Sequence, residues 1–218
     1  MGGLFGDIQF NWRPTAERFK EISIHDPDFV ASRIPDLFYY INVGSETEKI
    51  AAAETILNLI IQRKNIAKSE EMLSGLICEA NNVGIQVRHK LIKAAGRSAP
   101  MMCDKTRNVL LSRISEVVRL LQYDPVTSMW IQPVIKQISM QNPNPFRKHT
   151  NCIASTLYSR DQMLATDAVG TLYLLGKKDP RLIEPHLKEL LYFLRTANQM
   201  LRYRVLPPIG LIGISDPE

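Results

Sequence analysis

The chain has 218 residues, of which 45% are hydrophobic and 22% charged, and this balance excludes a disordered chain or a fibre. It is long enough for one or two domains with a substantial core. The net charge of +5 is mild and allows an acidic partner, which would be nucleic acid, an anionic membrane or an acidic protein.

Apolar residues recur at three- and four-residue spacing along the chain, which is typical of amphipathic helices. A short helix is predicted after Pro14-Thr15, and we interpret residues 1–25 as a capping helix or half-repeat. Further helices are predicted, in chain order, within residues 26–41, 48–64, 69–80, 85–100, 104–122, 124–138, 146–159, 162–176 and 179–195, with a last one after residue 198. No segment shows the strict alternation of a strand, so the chain is predicted to be all-α.

Asp-Pro dipeptides recur and predict a repeat. They begin at Asp26, Asp124, Asp179 and Asp216, and the interval from the first to the last divides into five units of about 38 residues. A second proline follows at equal spacing at Pro35 and Pro133, and after a shorter gap at Pro185. Because proline inside a helix removes a hydrogen bond, we interpret these three prolines as matched kinks in helices that bend around their neighbours.

The clearest unit spans residues 179–213, where a helix with a leucine-rich stripe is followed by a turn at residues 196–198 and a second helix. A pair of this kind cannot bury its apolar stripe alone and has to stack on neighbouring pairs.

These features resemble the HEAT-repeat family, whose unit has a proline-kinked first helix, a short Asp- or Asn-rich turn and a second helix with Arg or Lys near its start. The matching basic residues are Lys49, Arg88, Arg147 and Arg202. The resemblance covers most of residues 26–213, although residues 101–122 fit poorly. It implies a right-handed α-solenoid of about five antiparallel helix pairs over residues 26–218. In the family, the basic residue usually forms a ladder with acidic groups of adjacent repeats.

Several basic residues fall on the predicted second helices, which line the concave surface of a solenoid. The predicted partner-binding surface consists of His89, Lys93, Arg97, Arg147, Lys148, Arg202 and Arg204. A solvated charged face without a partner is the alternative interpretation.

Sequence motifs for catalysis or metal binding are absent. The chain has no HExxH, no glycine-rich phosphate loop and no GxSxG, and His149 and Cys152 lack a second ligand pair at zinc spacing. Cys78, Cys103 and Cys152 are widely spaced and predict reduced thiols. We expect no catalytic activity, no metal and no cofactor.

The expected location is cytoplasmic. The first residues lack the basic start and apolar run of a signal peptide, and no apolar run reaches the roughly 18 residues of a membrane span.

The expected function is a non-enzymatic scaffold that binds a protein or peptide along the basic concave surface. The alternative is a nucleic-acid-binding protein that contacts the phosphate backbone in the same groove, including a helical-repeat DNA glycosylase-like role, for which Trp12 and Trp130 are the available tryptophans. Fold analogy also allows a repeat lyase or an assembly chaperone, but no motif supports either one.

The C-terminal residues predict an open end. Pro207-Pro208 is expected to break the last helix, and residues 209–214 beyond it are apolar. A terminal repeat normally has a polar outer face, so we expect self-association or further repeats through this end.

Overall fold

The computed structural model describes residues 14–62 and 70–215, which form thirteen α-helices and several 3₁₀ turns, with no β-strand in these two ranges. The helices are α1 (Ala16–His25), α2 (Pro27–Ser32), α3 (Ile34–Val43), α4 (Glu46–Gln62), α5 (Glu70–Ala80), α6 (Ile85–Ser98), α7 (Asp104–Ser112), α8 (Ile114–Arg119), α9 (Pro125–Gln141), α10 (Thr150–Ser155), α11 (Gln162–Lys178), α12 (Leu187–Thr196) and α13 (Gln199–Ser215). The prediction of an all-α chain is confirmed for this part of the protein.

Six helices stack side by side and set the architecture. In chain order they are α1, α4, α6, α9, α11 and α13, and each packs on the next. From α4 onward their first residues, Glu46, Ile85, Pro125, Gln162 and Gln199, are 37 to 40 residues apart. We call these six the ladder helices. Their spacing confirms the predicted repeat length.

Some repeats contain three α-helices where the sequence predicts a pair. Two short α-helices lie between α1 and α4, namely α2 and α3, and two lie between α6 and α9, namely α7 and α8. Each of these two pairs is divided by a single arginine outside helical geometry, Arg33 (φ −111°, ψ 20°) or Arg113 (φ −113°, ψ 24°). The later intervals each hold one short α-helix with 3₁₀ segments, and α5 is the helix described between α4 and α6. Residues 101–122, which match the helix-pair pattern poorly, contain α7 and α8 and form the two short elements of a three-helix unit.

Asp-Pro marks the start of a helical element in more than one position of the repeat. The Asp26 and Asp124 carboxylates accept hydrogen bonds from backbone N–H groups of α2 and α9, and the following proline occupies the first helical turn, where its missing N–H is not needed. Since α2 is a short element and α9 a ladder helix, equal spacing from Asp-Pro does not mean equal structural position.

The predicted matched proline kinks are accordingly wrong. Pro35 lies in the first turn of α3, and Pro185 in the first turn of a 3₁₀ helix at Glu184–His186, where proline is well tolerated. Of these three prolines, Pro133 alone lies inside a helix, α9.

The core lies between the ladder helices and the short elements and is continuous from α1 to α13. Phe19 at one end and Phe146 near the centre are fully buried, and Val205 of α13 closes the other end. Burial of each such large apolar side chain stabilises the fold by about 1.5–3 kcal/mol. On α6 the residues at three- and four-residue spacing are buried, namely Val87, Leu91, Ala94, Ala95 and Ser98.

The predicted break at Pro207-Pro208 is also wrong, because α13 continues through both prolines to Ser215. Pro208 and Ile212 are buried, and Leu211 approaches Gly176 of α11. This packing holds the helix together although two backbone donors are missing. The end remains partly apolar, with Ile214 81% exposed, and association through it stays a prediction.

None of the described helices is long and apolar enough to cross a bilayer.

Candidate functional site

In the central turns of the four inner ladder helices, α4, α6, α9 and α11, one strip remains partly exposed while the rest of the helix is buried. On α6 the strip contains Lys90, Lys93 and Arg97, and on α9 it contains Trp130, Pro133 and Gln137, at the three- and four-residue spacing of one helix face. We call the combined strips the ladder face. Side chains from neighbouring helices meet along this face, so it forms one surface.

At its N-terminal part the ladder face carries two ion pairs that share one carboxylate. The Glu54 carboxylate of α4 accepts a hydrogen bond from Lys20 Nζ of α1, at 2.6 Å, and a second one from Lys90 Nζ of α6. The hydrogen bond from Lys20, which has the larger effect, and that from Lys90 hold the pKa of the Glu54 carboxyl below its usual value. Both lysines of this region are therefore paired within the protein, although they share one carboxylate.

At the centre of the ladder face two cations lie over an aromatic ring. Lys93 Nζ is 5.7 Å and Arg97 Cζ 5.8 Å from the centroid of the Trp130 ring, which is within the range of cation–π attraction. Neither side chain forms an ion pair with a carboxylate in the described part of the chain. This cluster combines an aromatic surface with positive charge that the described carboxylates do not neutralise.

Gly96 sets the distance between α6 and α9 beside this cluster. A Cβ atom at Gly96 would lie 2.4 Å from the Trp130 carbonyl oxygen and 3.1 Å from its Cε3 atom. Only a residue without a side chain allows the two backbones to approach this closely. The position of Trp130 relative to Lys93 and Arg97 therefore depends on this glycine.

At its C-terminal part the ladder face carries a half-buried carboxyl group. Burial raises the pKa of Asp167 on α11, although electrostatic attraction to Lys136 of α9 and Arg204 of α13 works in the opposite direction. Arg204, one of the predicted site residues, thus attracts a carboxyl group of the neighbouring ladder helix electrostatically.

His89, another predicted site residue, is engaged within the protein. Its Nε2 lies 2.8 Å from Asp124 Oδ1, and the same carboxylate accepts hydrogen bonds from the backbone N–H and the hydroxyl of Thr127. Partial burial would raise the pKa of Asp124, but the hydrogen bonds from Thr127 and His89 outweigh it and lower the pKa. His89 therefore joins α6 to the start of α9.

Arg202 and Arg88 hold the turn that precedes their own helix. Arg202 Nε donates to the Ala197 carbonyl at 2.9 Å, and Arg88 donates to the carbonyls of Ala80 and Val83 at 2.9 and 2.8 Å. The family resemblance implies acidic partners for these two residues. The structure gives them backbone carbonyls as hydrogen-bond partners.

Arg147 and Lys148 do not lie on a ladder helix. They belong to a 3₁₀ helix at Asn144–Lys148, the first short element of its repeat, and Arg147 Nη2 lies 2.6 Å from Asp179 Oδ2 of the next repeat. The predicted basic residues therefore do not line one continuous groove. Lys93 and Arg97 meet at the centre of the ladder face, whereas Arg147 and Lys148 lie among the short elements.

Trp130 is not among the residues predicted for the partner-binding surface, and the sequence indicated it only for the glycosylase-like alternative. Its spacing to Pro133 and Gln137 places it on an exposed strip, but only the packing of α6 on α9 brings it to Lys93. The arrangement provides binding groups. Within the described ranges, no three His, Cys, Asp or Glu side chains are grouped so that they could hold a metal ion.

Comparison with known proteins finds solved structures with a similar fold. No protein-family model and no curated protein matches the chain. Solved structures of designed armadillo repeat proteins are similar to it. One, in complex with the peptide (KR)4, has a TM-score of 0.65 and 13% identity, with 90% of this chain and 91% of that chain covered. Another, described as computationally designed for modular peptide recognition, has a TM-score of 0.68 and 15% identity over the same shares of both chains.

These similarities support a helical-repeat fold of the armadillo type in place of the HEAT-like assignment. The chain folds as an armadillo-type α-solenoid.

Proposed function

We propose that this protein is a non-enzymatic scaffold that binds an extended segment of a partner protein across the ladder face. The observation that carries the proposal is the central cluster, in which Lys93 and Arg97 flank Trp130 without a carboxylate partner in the described residues. The similar designed proteins support it, since one was solved with a peptide and another was designed for peptide recognition.

The charges of the ladder face favour a partner segment with an acidic side chain. Glu54 is already paired with two lysines, and Asp167 attracts Lys136 and Arg204. The positive charges of Lys93 and Arg97, in contrast, are not neutralised by a carboxylate of the described residues. An Asp or Glu of the partner would form charge-assisted hydrogen bonds with these two cations.

Two side-chain amides on the ladder face suit a peptide backbone. Asn58 of α4 and Gln137 of α9 are partly exposed, and neither side chain is hydrogen-bonded to another described residue. Each amide offers both a donor and an acceptor, which a peptide group requires. An extended segment would therefore be held by its backbone at these amides and by an acidic side chain at Lys93 and Arg97.

In this proposal residues 26–218 form the binding array and residues 1–25 the capping half-repeat. The contact of α1 with α4, which repeats the packing of later ladder helices, supports this division. A cytoplasmic location is part of the proposal and is supported by three free cysteines, Cys78, Cys103 and Cys152.

A peptide-display selection tests the proposal, followed by measurement of Kd for the selected peptides. We expect enrichment of acidic sequences, and about tenfold or greater weakening by the double substitution Lys93→Gln and Arg97→Gln, because charge-assisted hydrogen bonds are lost. The control is Arg160→Gln with Lys188→Gln, which removes the same charge from exposed residues outside the ladder helices.

Equal weakening by the two double variants would show that net charge, and not the cluster, attracts the ligand. Failure to enrich any sequence would refute peptide binding. Retention of nucleic acid that falls steeply with salt would favour the phosphate-backbone alternative, since such contacts release counterions.

A further inference from the structure

A cavity lies away from the ladder face, between the first short elements of two successive repeats. Its volume is about 330 Å³, and it is lined by Arg147, Thr150, Arg181, Leu182 and Pro185. These residues come from the 3₁₀ segments near residues 144–148 and 180–186 and from the first residue of α10. The cavity therefore depends on the packing of one repeat on the next.

One carboxylate holds both arginines of this cavity. Asp179 Oδ2 lies 2.6 Å from Arg147 Nη2, and Asp179 Oδ1 lies 3.0 Å from Arg181 Nε. The Asp179 side chain is only 15% exposed, whereas the arginine side chains are 61% and 77% exposed. Two guanidinium groups thus share a single negative charge, and the cluster retains an excess of positive charge.

Most of the hydrogen-bond donors in the cavity are unused. Asp179 engages one nitrogen of each guanidinium, which leaves Nε and Nη1 of Arg147 and both Nη atoms of Arg181 without a partner among the described residues. The Thr150 hydroxyl likewise has no hydrogen-bond partner there. Leu182 and Pro185 add an apolar wall.

We propose that this cavity binds an oxyanion, either a phosphate monoester or a carboxylate, at the end of a ligand side chain. An oxyanion presents only acceptors, and two arginine forks with a hydroxyl present the donors that it needs. Asp179 orients the two guanidinium groups, and the apolar wall contacts the stem that carries the anion. This site does not depend on the function proposed for the ladder face.

Titration with inorganic phosphate, acetate and phenyl phosphate at constant ionic strength tests the site, with the arginine Nε–H signals followed by NMR. We expect saturable shifts of the Arg147 and Arg181 signals. Phenyl phosphate should bind more tightly than inorganic phosphate, because its ring can contact Leu182 and Pro185. Stronger binding of phosphate than of acetate identifies a phosphate ester as the ligand chemistry, and the reverse order identifies a carboxylate.

Two variants separate a built site from a general attraction of anions. Arg181→Gln should weaken phosphate binding about tenfold or more, whereas Lys188→Gln, which removes one charge from exposed α12, should leave it unchanged. Arg147→Lys keeps the charge but loses the fork and should also weaken binding.

Three results would overturn the proposal. The first is the absence of saturation up to about 50 mM phosphate, which corresponds to negligible affinity. The second is equal weakening of phosphate binding by Arg181→Gln and Lys188→Gln. The third is unchanged phosphate binding in Arg147→Lys. Thermal melts of every variant verify that the fold is retained.

Discussion

Replacement of Gly96 by alanine tests the close approach of α6 and α9 on which the central cluster depends. The new Cβ would lie 2.4 Å from the Trp130 carbonyl oxygen, whereas ordinary C···O contacts are about 3.3 Å or longer, so the helices would have to separate by nearly 1 Å. The clashing atom belongs to a helix backbone and cannot rotate away. Overpacking of this kind costs about 1–3 kcal/mol, and the better helix propensity of alanine returns at most about 1 kcal/mol.

We therefore expect Gly96→Ala to lower the free energy of unfolding by about 1–2 kcal/mol and the Tm by roughly 2–8 °C. Gly170→Ala is the matched control, because Gly170 lies in ladder helix α11 and its Cβ would meet nothing within 4 Å. That variant should gain up to about 1 kcal/mol. Urea unfolding followed by circular dichroism measures both. If Gly96→Ala is as stable as Gly170→Ala, the close approach of α6 to Trp130 is wrong.

Two further predictions concern stability. Arg88→Gln should destabilise the protein by about 1–3 kcal/mol in the same urea assay, because the Ala80 and Val83 carbonyls lose a charged donor. Lys93→Gln should change stability by less than about 0.5 kcal/mol, and similar losses in the two variants would contradict the distinction between a turn-holding and a ligand-binding residue. Pro207→Ala should stabilise the protein by about 1–2 kcal/mol in thermal melts, because a continuous helix regains a donor for the Tyr203 carbonyl. A decrease in Tm would indicate that the final helix ends before residue 207.

The helical content and the repeat length could be predicted from the sequence because both depend on local patterns. The spacing of Val87, Leu91 and Ala94 identifies the buried face of α6 without knowledge of its neighbours. The interval of about 38 residues, obtained by dividing Asp26 to Asp216 into five units, agrees with the 37 to 40 residues between the starts of successive ladder helices, although Asp-Pro does not mark one position of the repeat.

The grouping of helices could not be predicted in the same way. Arg113 divides α7 from α8 although no glycine or proline lies in residues 104–122, so no ordinary helix-breaking residue marks that boundary. At Arg33 the boundary is accompanied by Pro35 in the first turn of α3. Pro207 and Pro208, which are ordinary breakers, lie inside α13 because burial of its other residues against α11 outweighs the lost hydrogen bonds. Tertiary packing overrides local preference in both directions.

The sequence by itself determined that basic residues recur on the helices and that no catalytic motif accompanies them. Only the tertiary structure decided which of these residues are available to a ligand. Arg88 and Arg202 face turn carbonyls and His89 faces Asp124, whereas Lys93 and Arg97 meet the Trp130 ring. For His89, Lys93 and Arg97 the physical reason is that partners more than 30 residues apart are brought together by the stacking of successive repeats, which leaves no trace in the local pattern of either helix. For Arg88 and Arg202 the partners are carbonyls of the preceding turn, and the fold of that turn decides the contact.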